Sequence, residues 1–75
     1  MTVTFVNNTQ NRVSLFWIDP QGVRKFYMHI GPGRAKAQPT FVGHSWVAVD
    51  EASGADVLTV RVQAGFPTVE IGSAP

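Results

Sequence analysis

The sequence predicts an all-β fold, a small seven-stranded β-sandwich with mainly antiparallel pairing. Three observations predict it. Apolar and polar residues alternate with a period of two in segments rich in Val, Ile, Thr and aromatics. Turn signatures separate those segments at short intervals, a spacing that suits a sandwich or a small barrel. No window carries an amphipathic helical stripe.

The first strand is TVTFV, residues 2–6, with Val3 and Phe5 on one face and Thr2 and Thr4 on the other. NNTQN follows as a turn, because Asn and Thr side chains bond nearby backbone groups. RVSLFWI, residues 12–18, is the second strand. Asp19-Pro20-Gln21-Gly22 ends it, with proline at the second place of a β-turn and glycine at the fourth. VRKFYMHI, residues 23–30, is the third strand, and GPGR makes the loop after it. AQPTFV, residues 37–42, is the fourth; Pro39 has no N–H to give a ladder, which marks this strand as a sheet edge. HSWVAV, residues 44–49, is the fifth and VLTVRV, residues 57–62, the sixth, joined by the loop DEASGAD. TVEI, residues 68–71, is a short seventh after Gly65-Phe66-Pro67. One domain over residues 1–72 is expected, with residues 73–75 as a frayed tail.

Alternation assigns faces in the fifth strand. Val47 and Val49 form the expected core set, matching Leu58, Val60 and Val62 on the sixth strand. His44 and Trp46 then point away from that core, on the side of Asp50. A tryptophan on a less apolar face calls for a partner inside or outside the protein. Trp17, Phe26, Tyr27 and Phe41, with the Thr40 hydroxyl, are placed to reach the same area. The competing reading is ordinary packing.

Composition narrows the function. A chain of 75 residues makes a single small domain with a thin core. A net charge of +1 gives little long-range pull on nucleic acid, so no nucleic-acid partner is expected. RKFY interleaves basic and aromatic residues as a single-strand stacking platform does, but the low charge argues for an ordinary strand. With no cysteine there is no disulfide and no thiolate zinc site. The longest apolar runs, such as LFWI and WVAV, fall far short of a membrane span, and no membrane partner is expected. The start of the chain lacks a basic leader with an apolar stretch, which with the missing cysteines favours an intracellular location. Catalysis is not expected. Ser45 adjoins His44, but neighbours on a strand face opposite ways. His29 and His44 supply two metal ligands at most, so neither a metal nor another cofactor is expected. GPGR lacks the phosphate-loop pattern.

Several of these pieces together resemble a known family. FVNNT is similar to the F-x-N-x-[ST] opening of the von Hippel–Lindau tumour suppressor β domain. Trp17 follows Phe5 at the family's spacing, and Asp19 and Gly22 fall in the turn after it. Tyr27 lies ten residues past Trp17, and a Pro-Gly loop, Pro32-Gly33, comes next. GHSWVAVD resembles the family's G-H-x-W segment with its closing aspartate. The family recognises 4-hydroxyproline in an extended peptide of a hypoxia-inducible transcription factor. The resemblance therefore implies a pocket for hydroxyproline built from Trp17, Tyr27, Thr40, His44 and Trp46. Trp46, with Trp17 beside it, would be the flat wall, and Tyr27 would complete the pocket and bond the peptide backbone. His44 would bond the ligand hydroxyl. The family's serine falls on Thr40, which keeps the oxygen and adds a methyl. Asn7 matches a scaffold asparagine. Animal members continue into a helical domain that binds elongin C; no helical pattern follows in these residues, so no elongin C site is expected in this chain.

The chemistry of that residue set is consistent with such a ligand. Aromatic faces offer rigid apolar area to a saturated ring. A hydroxyl and an imidazole together offer a donor and an acceptor to one alcohol. The flanking peptide would add to the free edge at Pro39 and Phe41 by β-augmentation. Two other readings remain: an aromatic shelf for plain Pro-rich peptides or carbohydrate, and a structural interaction domain with a vestigial pocket.

Overall fold

The computed structural model describes residues 1–65 and 67–72. The expected tail at residues 73–75, and Phe66 before the last strand, lie outside the described residues. Seven strands follow one another: β1 (Thr2–Asn7), β2 (Val13–Ile18), β3 (Arg24–Ile30), β4 (Ala35–Pro39), β5 (Ser45–Asp50), β6 (Asp56–Arg61) and β7 (Thr68–Ile71). No helix occurs among the described residues. They form a three-stranded sheet, β4-β1-β7, and a four-stranded sheet, β3-β2-β5-β6. All pairs are antiparallel except β1 with β7. The all-β sandwich predicted from alternation is the fold observed.

The core lies between the two sheets. Val3 and Phe5 of β1 and Val69 and Ile71 of β7 meet Val13 and Leu15 of β2 and Trp46 and Ala48 of β5. Each fully buried aliphatic or aromatic side chain contributes about 1.5–3 kcal/mol relative to an exposed one. Asn7 closes the end of β1. Its Nδ2 donates to the carbonyls of Asn11 (2.8 Å) and Ile30 (2.9 Å). Its Oδ1 accepts from the Thr9 N–H (2.9 Å) and hydroxyl (2.6 Å). The turn predicted at Asp19 forms as expected, with Gly22 N–H on Asp19 C=O at 2.8 Å.

Three expectations need correction. In β5, Trp46 and Ala48 face the core, whereas Val47 belongs to the opposite set. Leu58 and Val60 do pack on the core, but as partners of Ala48 and Trp46. Period two cannot tell the faces of this strand apart, because β5 is a central strand and both sets are apolar. Volume settles the matter: the largest side chain fills the gap between sheets, where Phe5 meets it at 5.7 Å between ring centroids.

The fourth strand ends earlier than expected, at Pro39, so Phe41 is not on an edge strand but in the loop beyond it. Pro39 has no N–H, and the chain then turns at Phe41–His44, with His44 N–H on Phe41 C=O at 3.1 Å. β4 is nevertheless an edge strand of its sheet, as Pro39 implied. Phe26 does not join Trp46 but packs on Phe16, edge-on at 5.7 Å, on the opposite face.

Candidate functional site

Trp46 is the hub of the candidate site. It stands directly opposite Trp17 in the β2–β5 ladder. Its indole Nε1 donates to the Thr40 hydroxyl oxygen at 3.0 Å. The Tyr27 ring meets it at 4.8 Å with an interplanar angle of 78°. His44 lies against Trp17 at 5.3 Å and against Phe41 at 5.3 Å between ring centroids. The five expected residues are thus brought into one connected cluster: Tyr27, Thr40 and Trp17 around Trp46, and His44 on Trp17.

Local backbone features set these directions. The β2–β3 register slips between Leu15 and Phe16, so that Met28 and Phe26 are paired and Tyr27 is the extra residue. Such a bulge re-aims a side chain. It lets Tyr27 point inward beside Met28 while Phe26 points outward. The turn before β5 depends on Gly43, whose φ of 91° suits the third position of a type II turn. That turn sets His44 beside Trp17.

Exposure divides the cluster. Trp46 and Thr40 are 2% and 3% exposed, so they form the floor of the cluster. Tyr27 and Phe41 are 46% and 68% exposed and stand at the rim. A hollow of about 340 Å³ is lined by Trp17 and His44 together with Ile18, Asp19, Pro20, Gly43 and Ser45. It does not include Tyr27, Thr40 or Trp46.

Hydrogen-bonding capacity in the cluster is only partly used. Among the described residues the Thr40 hydroxyl accepts from Trp46 and donates to nothing, and the His44 ring makes no hydrogen bond. Trp17 Nε1 is buried without a partner among them. An unsatisfied buried polar group costs about 1–3 kcal/mol. Among the described residues no three His, Cys, Asp or Glu side chains cluster as a metal site.

Polar contacts on the opposite face of the four-stranded sheet hold strands together. Glu51 accepts from Arg12 Nε (2.8 Å), Ser14 Oγ (2.9 Å) and His29 Nδ1 (2.5 Å). Loss of solvent pushes its carboxyl up, but those hydrogen bonds outweigh it and hold the group below its ordinary value. Arg24 makes two 2.8 Å bonds to Asp56, joining the two edge strands β3 and β6. This bidentate bond is the main cause of the lowered Asp56 carboxyl.

Sequence reasoning did not assign Gly43 or Phe5 to the site. VGHS carries a recognisable turn glycine, so the first was open to inference. Phe5 comes from the other sheet, and no spacing rule connects it to Trp46.

Fold and cluster together define a class: a small all-β sandwich with an aromatic cluster where two sheets meet a loop. The family model described as the VHL beta domain matches residues 1–67 of the 75-residue chain. The chain belongs to that family, whose domains are non-catalytic substrate-recognition modules. A search of curated proteins gave no match.

Proposed function

We propose that this domain binds an extended peptide segment of a partner protein through 4-hydroxyproline. The observation that carries the proposal is the pair of unspent groups beside aromatic walls. Thr40 holds a buried hydroxyl with a proton to give, and His44 holds an imidazole without a partner. One alcohol satisfies both, and the imino-acid ring covers apolar area on Trp17 and Tyr27. Proline in its place leaves Thr40 and His44 dehydrated and unpaired. Entry to the floor requires the Tyr27 ring to swing outward. Its place on a bulge of an exposed edge strand gives it that latitude. The flanking peptide pairs with the free edge of β4, ending at Pro39, and Phe41 covers it from the loop.

The test is a titration of two matched peptides, with and without the 4-hydroxyl, followed by tryptophan fluorescence. Tighter binding of the hydroxylated peptide supports the proposal; equal binding of both, or of neither, defeats it. The exposure of Tyr27 and Phe41 favours a second reading, an aromatic shelf for plain Pro-rich peptides or sugars. Equal binding of both peptides is its signature.

A further inference from the structure

The four-stranded sheet ends in β3 and β6, and the three-stranded sheet in β4 and β7. An edge strand carries unpaired N–H and C=O groups that a second chain can join. Charge tells these four strands apart. β3 carries Arg24, Lys25 and His29 with no acid, β4 carries Lys36 alone, and β7 carries Glu70 alone. β6 carries both signs, Asp56 at its start and Arg61 at its end.

The backbone of β6 suits pairing with a copy of itself. Val62 N–H donates to the His44 C=O at 2.8 Å. Such bonds alternate along an antiparallel ladder, so the N–H and C=O groups of Thr59 and Arg61 turn away from β5. Leu58 and Val60 pack on the core opposite Ala48 and Trp46. Thr59 and Arg61 take the other face. The irregularity at Val57 returns Asp56 to that same face, opposite Val49. Asp56, Val57, Thr59 and Arg61 are all exposed. Among the described residues Arg61 forms no ion pair.

We propose that β6 pairs antiparallel with β6 of a second copy of this chain, about a two-fold axis at Thr59. In this register Thr59 faces its own counterpart and Leu58 faces the partner's Val60. Arg61 faces the step between the partner's Asp56 and the partner's Val57. One symmetric contact thus gains an ion pair at each end. Asp56 already accepts from Arg24 on both oxygens at 2.8 Å. Each carboxylate oxygen keeps a lone pair for a second guanidinium. A parallel pairing sets like charges together and gains neither ion pair. The product is a continuous sheet with four strands from each copy. A strand edge buries little surface, so the association is weak and depends on concentration. β4 lies in the other sheet, so this pairing leaves it free and does not depend on the function proposed above.

Sedimentation of the intact 75-residue chain tests the proposal. Mass is expected to rise from monomer at about 10 μM toward dimer at about 1 mM, a span that covers weak affinities. A monomer at the upper concentration overturns it. Amide hydrogen exchange at both concentrations locates the seam. Protection of the Thr59 and Arg61 N–H groups is expected to grow with concentration; growth confined to β3, β4 or β7 defeats the assignment to β6. Arg61→Glu opposes two carboxylates at each end of the seam and is expected to weaken the dimer at least about tenfold. Asp56→Lys opposes two cations there. Mixed in equal amounts, the two variants set carboxylate against cation at both ends. They are expected to form a heterodimer although neither pairs with itself. Unchanged self-association of Arg61→Glu, or no heterodimer from two folded variants, overturns the charge pairing. Asp56→Lys also loses the Arg24 bridge, so Thr59→Pro serves where that variant does not fold. It removes an outward N–H from an edge strand and is expected to leave the chain folded and monomeric. A folded Thr59→Pro chain that still dimerises overturns the proposal.

Discussion

The Tyr27 ring stands edge-on to Trp46, 4.8 Å away, from a position that has no partner in the β2–β3 ladder. An extra residue in an edge strand therefore closes the top of an interior tryptophan. The two rings differ in exposure, 46% for Tyr27 and 2% for Trp46, and so in consequence. Replacing the first is therefore expected to cost the fold much less than replacing the second.

Tyr27→Ala is expected to cost little stability, about 1 kcal/mol, the scale of an aromatic pair outside the core. Urea unfolding measures that loss. The same variant is expected to weaken peptide binding by a far larger factor. Trp46→Ala, by contrast, is expected to cost about 3–5 kcal/mol, because it leaves a cavity between the sheets beside Phe5. For a chain this short that is a large share of total stability. A Trp46→Ala protein with an unchanged urea midpoint contradicts its place as the hub.

Asn7→Ala removes a side chain whose four hydrogen bonds join the β1 end to Thr9, Asn11 and Ile30. The Ile30 carbonyl loses a bond made in the buried interior. The expected loss is about 3 kcal/mol or more, since several buried groups go unpaired at once. Denaturant midpoints measure it. Asn7→Asp keeps an oxygen to accept from Thr9 but loses the donors to the Asn11 and Ile30 carbonyls, so it is expected to destabilise as well. A stable Asn7→Ala chain would show that the network is dispensable.

Much of this architecture can be read from the residues. TVTFV places Val3 and Phe5 inward by period two alone, and both are fully buried. DPQG forms its turn from the fixed φ of proline and the carboxylate of Asp19, whose Oδ1 accepts the Gln21 and Val23 N–H groups at 2.9 and 2.8 Å. WVAV is different. Every residue in it is apolar, so alternation offers two answers and only the presence of a second sheet chooses between them. Tyr27 shows another limit. A bulge shifts the parity of a strand by one residue, and nothing in RKFYMH announces it. The Trp46–Thr40 bond joins residues across a turn, and whether it forms depends on which face Trp46 takes.

Gly43 gives a further prediction. Its φ is 91°, and the nearest heavy atom to an added Cβ is the Arg61 side chain at 3.7 Å. Space is therefore available, and the cost of Gly43→Ala is conformational, about 1–2 kcal/mol. The larger effect falls on function. Any relaxation of the turn moves His44 off Trp17, so the preference for the hydroxylated peptide is expected to fall more than stability does. Parallel titrations of both peptides against Gly43→Ala and the unaltered chain measure this. An unchanged preference would mean that the turn does not position the imidazole.

Acid should weaken the fold through the carboxylates that hold strand ends together. Asp56 is lowered from its ordinary value of 3.8 first by the hydrogen bond from Arg24 and then by its charge. Asp50 is lowered by the Ala52 N–H and then the Asn11 amide. A carboxyl with a lower pKa in the folded state binds its proton more weakly there than in the unfolded chain. Its stabilising effect is complete above the unfolded value and fades as pH falls through the folded one. Urea midpoints are thus expected to be flat near neutral pH and to decline below about pH 4, where unfolded carboxyls begin to take up protons. Both groups face solvent, so added salt should shrink the decline. Asp56→Asn removes one of the titrating groups, and its midpoint should fall less steeply over the same acidic range. An identical slope in that variant would mean that the link between β3 and β6 contributes nothing to stability, whatever its geometry.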